Sequence, residues 1–206
     1  MLPDEAAGHD RLLAALNYAF LLAAGAVIAA ILTAALVMQY AFGELPCPLC
    51  LLQRVAMLGV AFGILQNLRH EFSSRNTGIS LIFALFLLVV AARQTLLDIY
   101  PRPGHEYIGS AVLGLHMPVW SVLIALALIG AYAAKLVVLG GDAHMRGARP
   151  EMFPAMARLA GALAAVLIGI AAINLVSALF QCGLGECHTM GYALLPPGWG
   201  GMPAPP

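Results

Sequence analysis

Charge is what this sequence has least of. Among 206 residues there are ten Lys or Arg and ten Asp or Glu, so charged side chains make up 10% of the chain, against about 25% in a soluble domain. Water cannot solvate a surface this poor in charge, and the chain reads as one whose solvent is largely lipid. The few charges cancel to a formal net charge of zero. That removes the electrostatic basis for nucleic acid as a partner. A basic cluster of the kind that holds anionic lipid headgroups is also missing, as are internal repeats and any separate soluble domain.

What is present is apolar sequence in blocks. Hydrophobic residues make up 62% of the chain. They fall into five runs: about 16–38, 51–68, 78–97, 119–139 and 159–180. Each is long enough, or nearly so, to cross the roughly 30 Å hydrocarbon core as a helix. The second is the shortest, with Gln53 and Arg54 close to its start. The expectation is an all-α membrane protein, a compact bundle of about five transmembrane helices forming one domain over residues 1–190. The first run is too long for a cleaved signal peptide, and Asp4 and Glu5 precede it where such a peptide carries basic residues. Met1 to Arg11 reads as a short retained tail. The stretch 191–206, rich in Pro and Gly, reads as a disordered outer tail, and the loop from Gly140 to Pro154 as short and polar.

Five spans put the two ends of the chain on opposite sides. With the N-terminus inside, Arg11, Arg69, Arg75, Lys135, Arg146, Arg149 and Arg158 are inside and Arg54, Arg93 and Arg102 outside. The positive-inside bias therefore predicts an inner N-terminus and an outer C-terminus. Cysteines did not enter that argument, yet it places Cys47, Cys50, Cys182 and Cys187 on one outer face, where thiol pairs are expected to form disulfides.

The first pair has the C-x-x-C spacing of a small reactive disulfide, in Pro46-Cys47-Pro48-Leu49-Cys50-Leu51-Leu52-Gln53-Arg54. Cys50 falls where the second span begins, and helix N-termini stabilise thiolates. Arg54 lies four residues on, along the same helical face. There it either adds positive charge near the sulfur and donates to a ligand oxygen, or snorkels to the headgroups.

The run Cys47 to Arg54 resembles the DsbB family of quinone-dependent disulfide oxidases. So do Ala92-Arg93-Gln94 and the stretch Gly109 to His116, and the ending Leu179 to Cys187 looks like one branch of that family. The resemblance covers roughly residues 15 to 190. It implies an enzyme of the bacterial inner membrane with its redox cysteines on the periplasmic face. A DsbA-like thioredoxin-fold periplasmic protein is the implied thiol partner, and two electrons pass to a membrane quinone, ubiquinone or menaquinone, of the respiratory pool. Cys182 and Cys187 would meet the partner, Cys47 would exchange with that pair, and Cys50 would face the quinone. Arg54, Arg93 and Gln94 are the candidate quinone-site residues. The sequence departs from the better-known pattern in one respect: the loop between spans three and four has no cysteine, and the second pair follows an additional fifth span.

Other readings stay open. Four cysteines on one face suit an all-thiolate zinc site in a structural or sensor protein. Cys182, Cys187 and His188 form a stretched haem-attachment motif, and electrons running in the reductase direction are a further option. Arg93 is also a candidate interfacial anchor, paired with Asp98. His116 reads as a satisfied interfacial residue, Trp120 and Tyr100 as aromatic belt, and Asn174 as an interhelical hydrogen-bonder. Small residues (Ala23, Ala24, Gly25, Ala29, Ala30, Gly161, Ala164 and Ala165) would permit close helix packing.

Overall fold

A computed structural model describes residues 3–100, 111–140, 152–185, 187 and 192–195. It contains five helices in the order α1 (Pro3–Ala41), α2 (Pro48–Arg69), α3 (Ser74–Ile99), α4 (Met117–Leu139) and α5 (Pro154–Cys182). All five are long and apolar enough to cross a membrane, as the hydropathy blocks predict. Most run several residues beyond those blocks, because polar first and last turns carry no hydropathy signal. The largest difference is at the start: α1 is already helical at Pro3, so most of the stretch read as a tail continues the helix. Its 39 residues make it about 58 Å long, well over the thickness of the hydrocarbon core.

Local chemistry sets the connections. α1 ends just before Gly43, whose φ of 70° no β-carbon would favour. The Glu44 N–H then closes back on the Met38 carbonyl at 3.2 Å, a glycine-dependent helix stop. Pro46 and Pro48 flank Cys47, and Pro48 at the first helical position starts α2. Ser73 caps α3 through Arg75 N at 3.3 Å, while Asn67 ties the turn before it to Ser73 N at 2.9 Å and to Thr77 at 3.2 Å. Before α4, Val112 and Leu115 pair across a tight turn in which Leu113 and Gly114 both have positive φ.

Successive helices run in opposite directions, so the end of α1, start of α2, end of α3, start of α4 and end of α5 meet at one pole. α2 packs against α1, α3 and α5. This enclosure explains why span two is the least apolar: protein faces it where lipid faces the others. Its contact with α3 depends on Gly63, where a β-carbon would stand 2.6 Å from the Asn76 carbonyl oxygen and 2.9 Å from Ser80 N. Ser80 hydrogen-bonds the Val60 carbonyl at 3.0 Å in the same contact. Of the small residues read as packing sites, Gly25, Ala29 and Ala164 are buried, whereas Ala23, Ala30, Gly161 and Ala165 face outward. Among the described residues the core is apolar along the bundle, with Leu21, Ile28, Leu32, Val60, Ile64 and Leu87 fully or nearly fully enclosed.

Candidate functional site

The cysteines lie at the shared pole. Cys47 is the N-cap of α2, and its sulfur accepts the Cys50 backbone N–H at 3.1 Å. Cys50 is in the first turn. The helix therefore begins one turn earlier than the hydropathy block, and the exposed N–H of its start points at Cys47 rather than Cys50. The reason is Pro48, which is preorganised for the first helical position. A hydrogen bond to the Cys50 side chain, together with burial, pushes the Cys47 thiol above the ordinary thiol range.

Gln94, on α3, meets both sulfurs. Its amide nitrogen is 3.3 Å from Cys47 Sγ and 3.5 Å from Cys50 Sγ. The amide is oriented by Gln53, whose Nε2 donates to Gln94 Oε1 at 2.7 Å. Its oxygen also stands 3.9 Å from Cys50 Sγ, so Gln94 offers the thiol pair N–H donors and, toward Cys50, an acceptor as well. Both glutamines are buried.

Arg54 is buried at 9% exposure, and its guanidinium is fixed by three acceptors rather than snorkelling. Nη1 donates to Gln39 Oε1 at 2.7 Å and to Asn174 Oδ1 at 3.2 Å, and Nη2 donates to the Ala35 carbonyl at 3.1 Å. A buried guanidinium needs such partners to offset its desolvation. They come from α1 and α5, so Asn174 is an interhelical hydrogen-bonder, as its place in an apolar span suggests.

Beside this group lies a cavity of about 470 Å³ between α1, α2 and α4, roofed by residues 44–46 and by the 112–113 turn. Its volume is in the range of small-molecule sites, roughly 300–1,000 Å³. The walls are mainly aliphatic, with Trp120 on one side and Cys50, Gln53 and Arg54 forming a polar patch. Cys50 lines it and Cys47 does not. Trp120, read as aromatic belt, is a wall residue whose indole N–H bonds the Val112 carbonyl at 3.0 Å. α3 contributes nothing to the lining, so Gln94 reaches the thiols from behind. Arg93 is exposed and is not brought to the cavity. His116 is the exposed N-cap residue of α4, and Tyr100 is exposed at the end of α3.

Cys182 ends α5 and is joined to Cys187 in a disulfide. The adjacent Gln181 donates from Nε2 to the Pro46 carbonyl at 2.6 Å. Pro46 precedes Cys47, so one hydrogen bond joins the chain neighbours of the two pairs. An all-thiolate zinc site needs four convergent thiolates, whereas two of these sulfurs are bonded to each other. Among the described residues no group of three or more His, Cys, Asp or Glu side chains comes together. His188 lies outside the described residues, as do Arg102, residues 141–151 of the loop between α4 and α5, and most of the stretch 191–206.

Gln39, Gln53 and Tyr192 belong to the site and were not singled out for it by the sequence. The first two carried a usable signal, an amide within or beside an apolar run. Tyr192 carried none.

Comparison with known proteins bears on residues 17–106, which match the family model for Disulfide bond formation protein DsbB. A Disulfide bond formation protein B of Chromohalobacter salexigens is 35% identical over 101 residues, covering 43% of this chain and 56% of that protein. One from Aromatoleum aromaticum is 30% identical over 145 residues, covering 54% of this chain and 87% of that protein. One from an Azoarcus species is 36% identical over 98 residues, with 42% and 58% covered. The chain thus spans little more than half of the first of these relatives and most of the second. No solved structure matches it at a significant level. The matched region holds the first cysteine pair, Gln94, which contacts both its sulfurs, and Arg54, which lines the cavity with Cys50, and this chain belongs to the DsbB family of disulfide bond formation proteins.

Proposed function

We propose that this protein is a quinone-dependent thiol oxidase of the bacterial inner membrane, with its N-terminus inside and its cysteine pole on the periplasmic face. The observation that carries the reading is the placement of Cys50 and the Arg54 guanidinium together on the wall of a mainly apolar cavity. Apolar walls suit a lipid-soluble ring and its tail. The three protein acceptors use three of Arg54's five N–H groups, which leaves donors for a ring oxygen. These residues fit a quinone, which when bound supplies an acceptor for two electrons and two protons.

The chain's own residues divide the work. A reduced thioredoxin-fold partner attacks the Cys182–Cys187 disulfide, becomes oxidised, and leaves that pair as two thiols. The pair then reduces a Cys47–Cys50 disulfide by thiol–disulfide exchange, regaining its own disulfide. Cys47 and Cys50, now thiols, give up two electrons and two protons into the cavity and close again. Cys47 faces the exchange side. Cys50 faces the cavity, Arg54 orients the acceptor, and Gln94 with Gln53 holds the two sulfurs in register. Positive charge is consistent with the orientation: Arg11, Arg69, Arg75 and Arg158 lie toward the opposite pole, although Lys135, counted with them, is buried within α4.

The test is to mix purified protein with a reduced DsbA-like partner and decylubiquinone. Thiol loss should require both protein and quinone. Oxidation that proceeds at the same rate without quinone would overturn the reading.

A further inference from the structure

We propose that Tyr192 is a positioning residue for Arg54: acting through Gln39, it keeps the guanidinium on the cavity wall and so ties the segment behind the C-terminal cysteine pair to ligand binding beside Cys50. The proposal rests on the quinone reading of the cavity and deepens it. Tyr192 lies far outside the stretch 17–106 that matches the family model.

The linking group is an amide. Gln39 is 3% exposed and has a different partner at each end. Its Oε1 accepts from Arg54 Nη1 at 2.7 Å, and its Nε2 donates to the Tyr192 hydroxyl at 3.2 Å. A guanidinium carries only donors, so it can be met by the oxygen end alone. The nitrogen end must then find an acceptor in a buried place, and Tyr192 supplies it. Without that hydroxyl the amide N–H groups are left orphaned, which a buried donor does not tolerate cheaply. The Asn174 Oδ1 acceptor is close by, because it shares Arg54 Nη1 with Gln39. A Gln39 amide that turns toward Asn174 competes with the arginine for it and withdraws its own oxygen from the arginine. Either way the guanidinium loses acceptors that fix it.

Tyr192 is delivered by the second cysteine pair's own segment. Gly183, at a φ of 59°, turns the chain out of α5. After Cys187 the chain folds back: Ala193 N bonds the Gln181 carbonyl at 3.3 Å and Leu194 N bonds the Phe180 carbonyl at 3.1 Å. These carbonyls belong to the last turn of α5, which carries Cys182. On the other side, a hydrogen bond between Tyr40 and Ser177 holds the end of α1 against α5 and keeps Gln39 within reach.

The chain has two tryptophans, and one of them, Trp120, lines the cavity. A Trp199→Phe parent therefore reports decylubiquinone binding through Trp120 quenching. With the oxidised, non-turning-over protein in detergent, Tyr192→Phe should weaken decylubiquinone binding about tenfold. In turnover it should raise the quinone KM by a similar factor and leave kcat within about twofold. Adding Gln39→Glu to Tyr192→Phe should restore binding, because a carboxylate presents oxygen to Arg54 in either orientation. A merely structural loss would not be rescued this way. Equal binding by the parent and Tyr192→Phe, or failure of Gln39→Glu to rescue, overturns the link while leaving the quinone reading in place. A parent that shows no quenching overturns both.

Discussion

The two cysteine pairs share one pole and live in opposite surroundings. Cys47 is buried as a helix cap, Cys50 stands on a cavity wall, and both sulfurs are held by a glutamine that a second glutamine orients. Cys182 and Cys187 close a short ring at the end of a helix, with Leu184 fully exposed between them. The first pair lies in the bundle, while the second, itself half-buried, carries an exposed turn between its cysteines. In the proposed function the contrast divides the work: a lipid-soluble acceptor would reach the first pair through the cavity, and a folded partner would meet the second. The Gln181–Pro46 hydrogen bond makes the two environments neighbours.

The sharpest way to break the comparison is to remove Cys50. Cys50→Ser should lower quinone reduction by at least about a thousandfold with any thiol donor, read as decylubiquinone loss. Next in size is the outer pair. The Cys182→Ser, Cys187→Ser double variant should lose about a hundredfold or more in rate with a thioredoxin-fold partner. With dithiothreitol, which is small enough to bypass the ring, it should stay within about threefold of wild type. If both donors fall together, the division between the pairs is wrong.

Arg54→Met comes third. It should raise the quinone KM about 10- to 100-fold, the range expected when hydrogen bonds from a buried charged donor are lost. Arg54→Lys should recover little, since a single ammonium cannot reach acceptors on α1 and α5 while also serving a ligand. Gln94→Leu is fourth: about a tenfold fall in kcat with quinone KM nearly unchanged, because Gln94 touches the sulfurs and not the cavity. Arg93→Ala, its neighbour in sequence, should change neither by more than about twofold. The smallest effect on chemistry belongs to Gly63→Ala, which crowds the Asn76 carbonyl and should cost about 1–3 kcal/mol of stability, seen as a lower midpoint of thermal unfolding.

Much of the fold was legible because lipid imposes a single rule on every exposed helix face, and five apolar runs record it. Helix ends were less legible. Pro3 to Arg11 lacks any large apolar residue yet continues α1, and the proline that starts α2 moved the helix start from Cys50 to Cys47. At the site, spacing alone placed Arg54 beside Cys50. It could not separate Arg93 from Gln94: adjacent residues on a helix differ by about 100° in direction, and only the packing of α3 against α2 decides which one faces the thiols. Tyr192 lay outside any periodic pattern, since its position depends on a disulfide ring and a fold-back that leave no trace in local sequence.

The central claim is that both pairs drain through Cys50 into a quinone. The direct measurement is an anaerobic single turnover of fully reduced protein, with all four thiols free and decylubiquinone in excess. Two disulfides' worth of electrons should yield two quinols per wild-type chain, one from the Cys182→Ser, Cys187→Ser variant and none from Cys50→Ser. Quinol formed by Cys50→Ser, or a single quinol from the wild-type chain, would contradict the account.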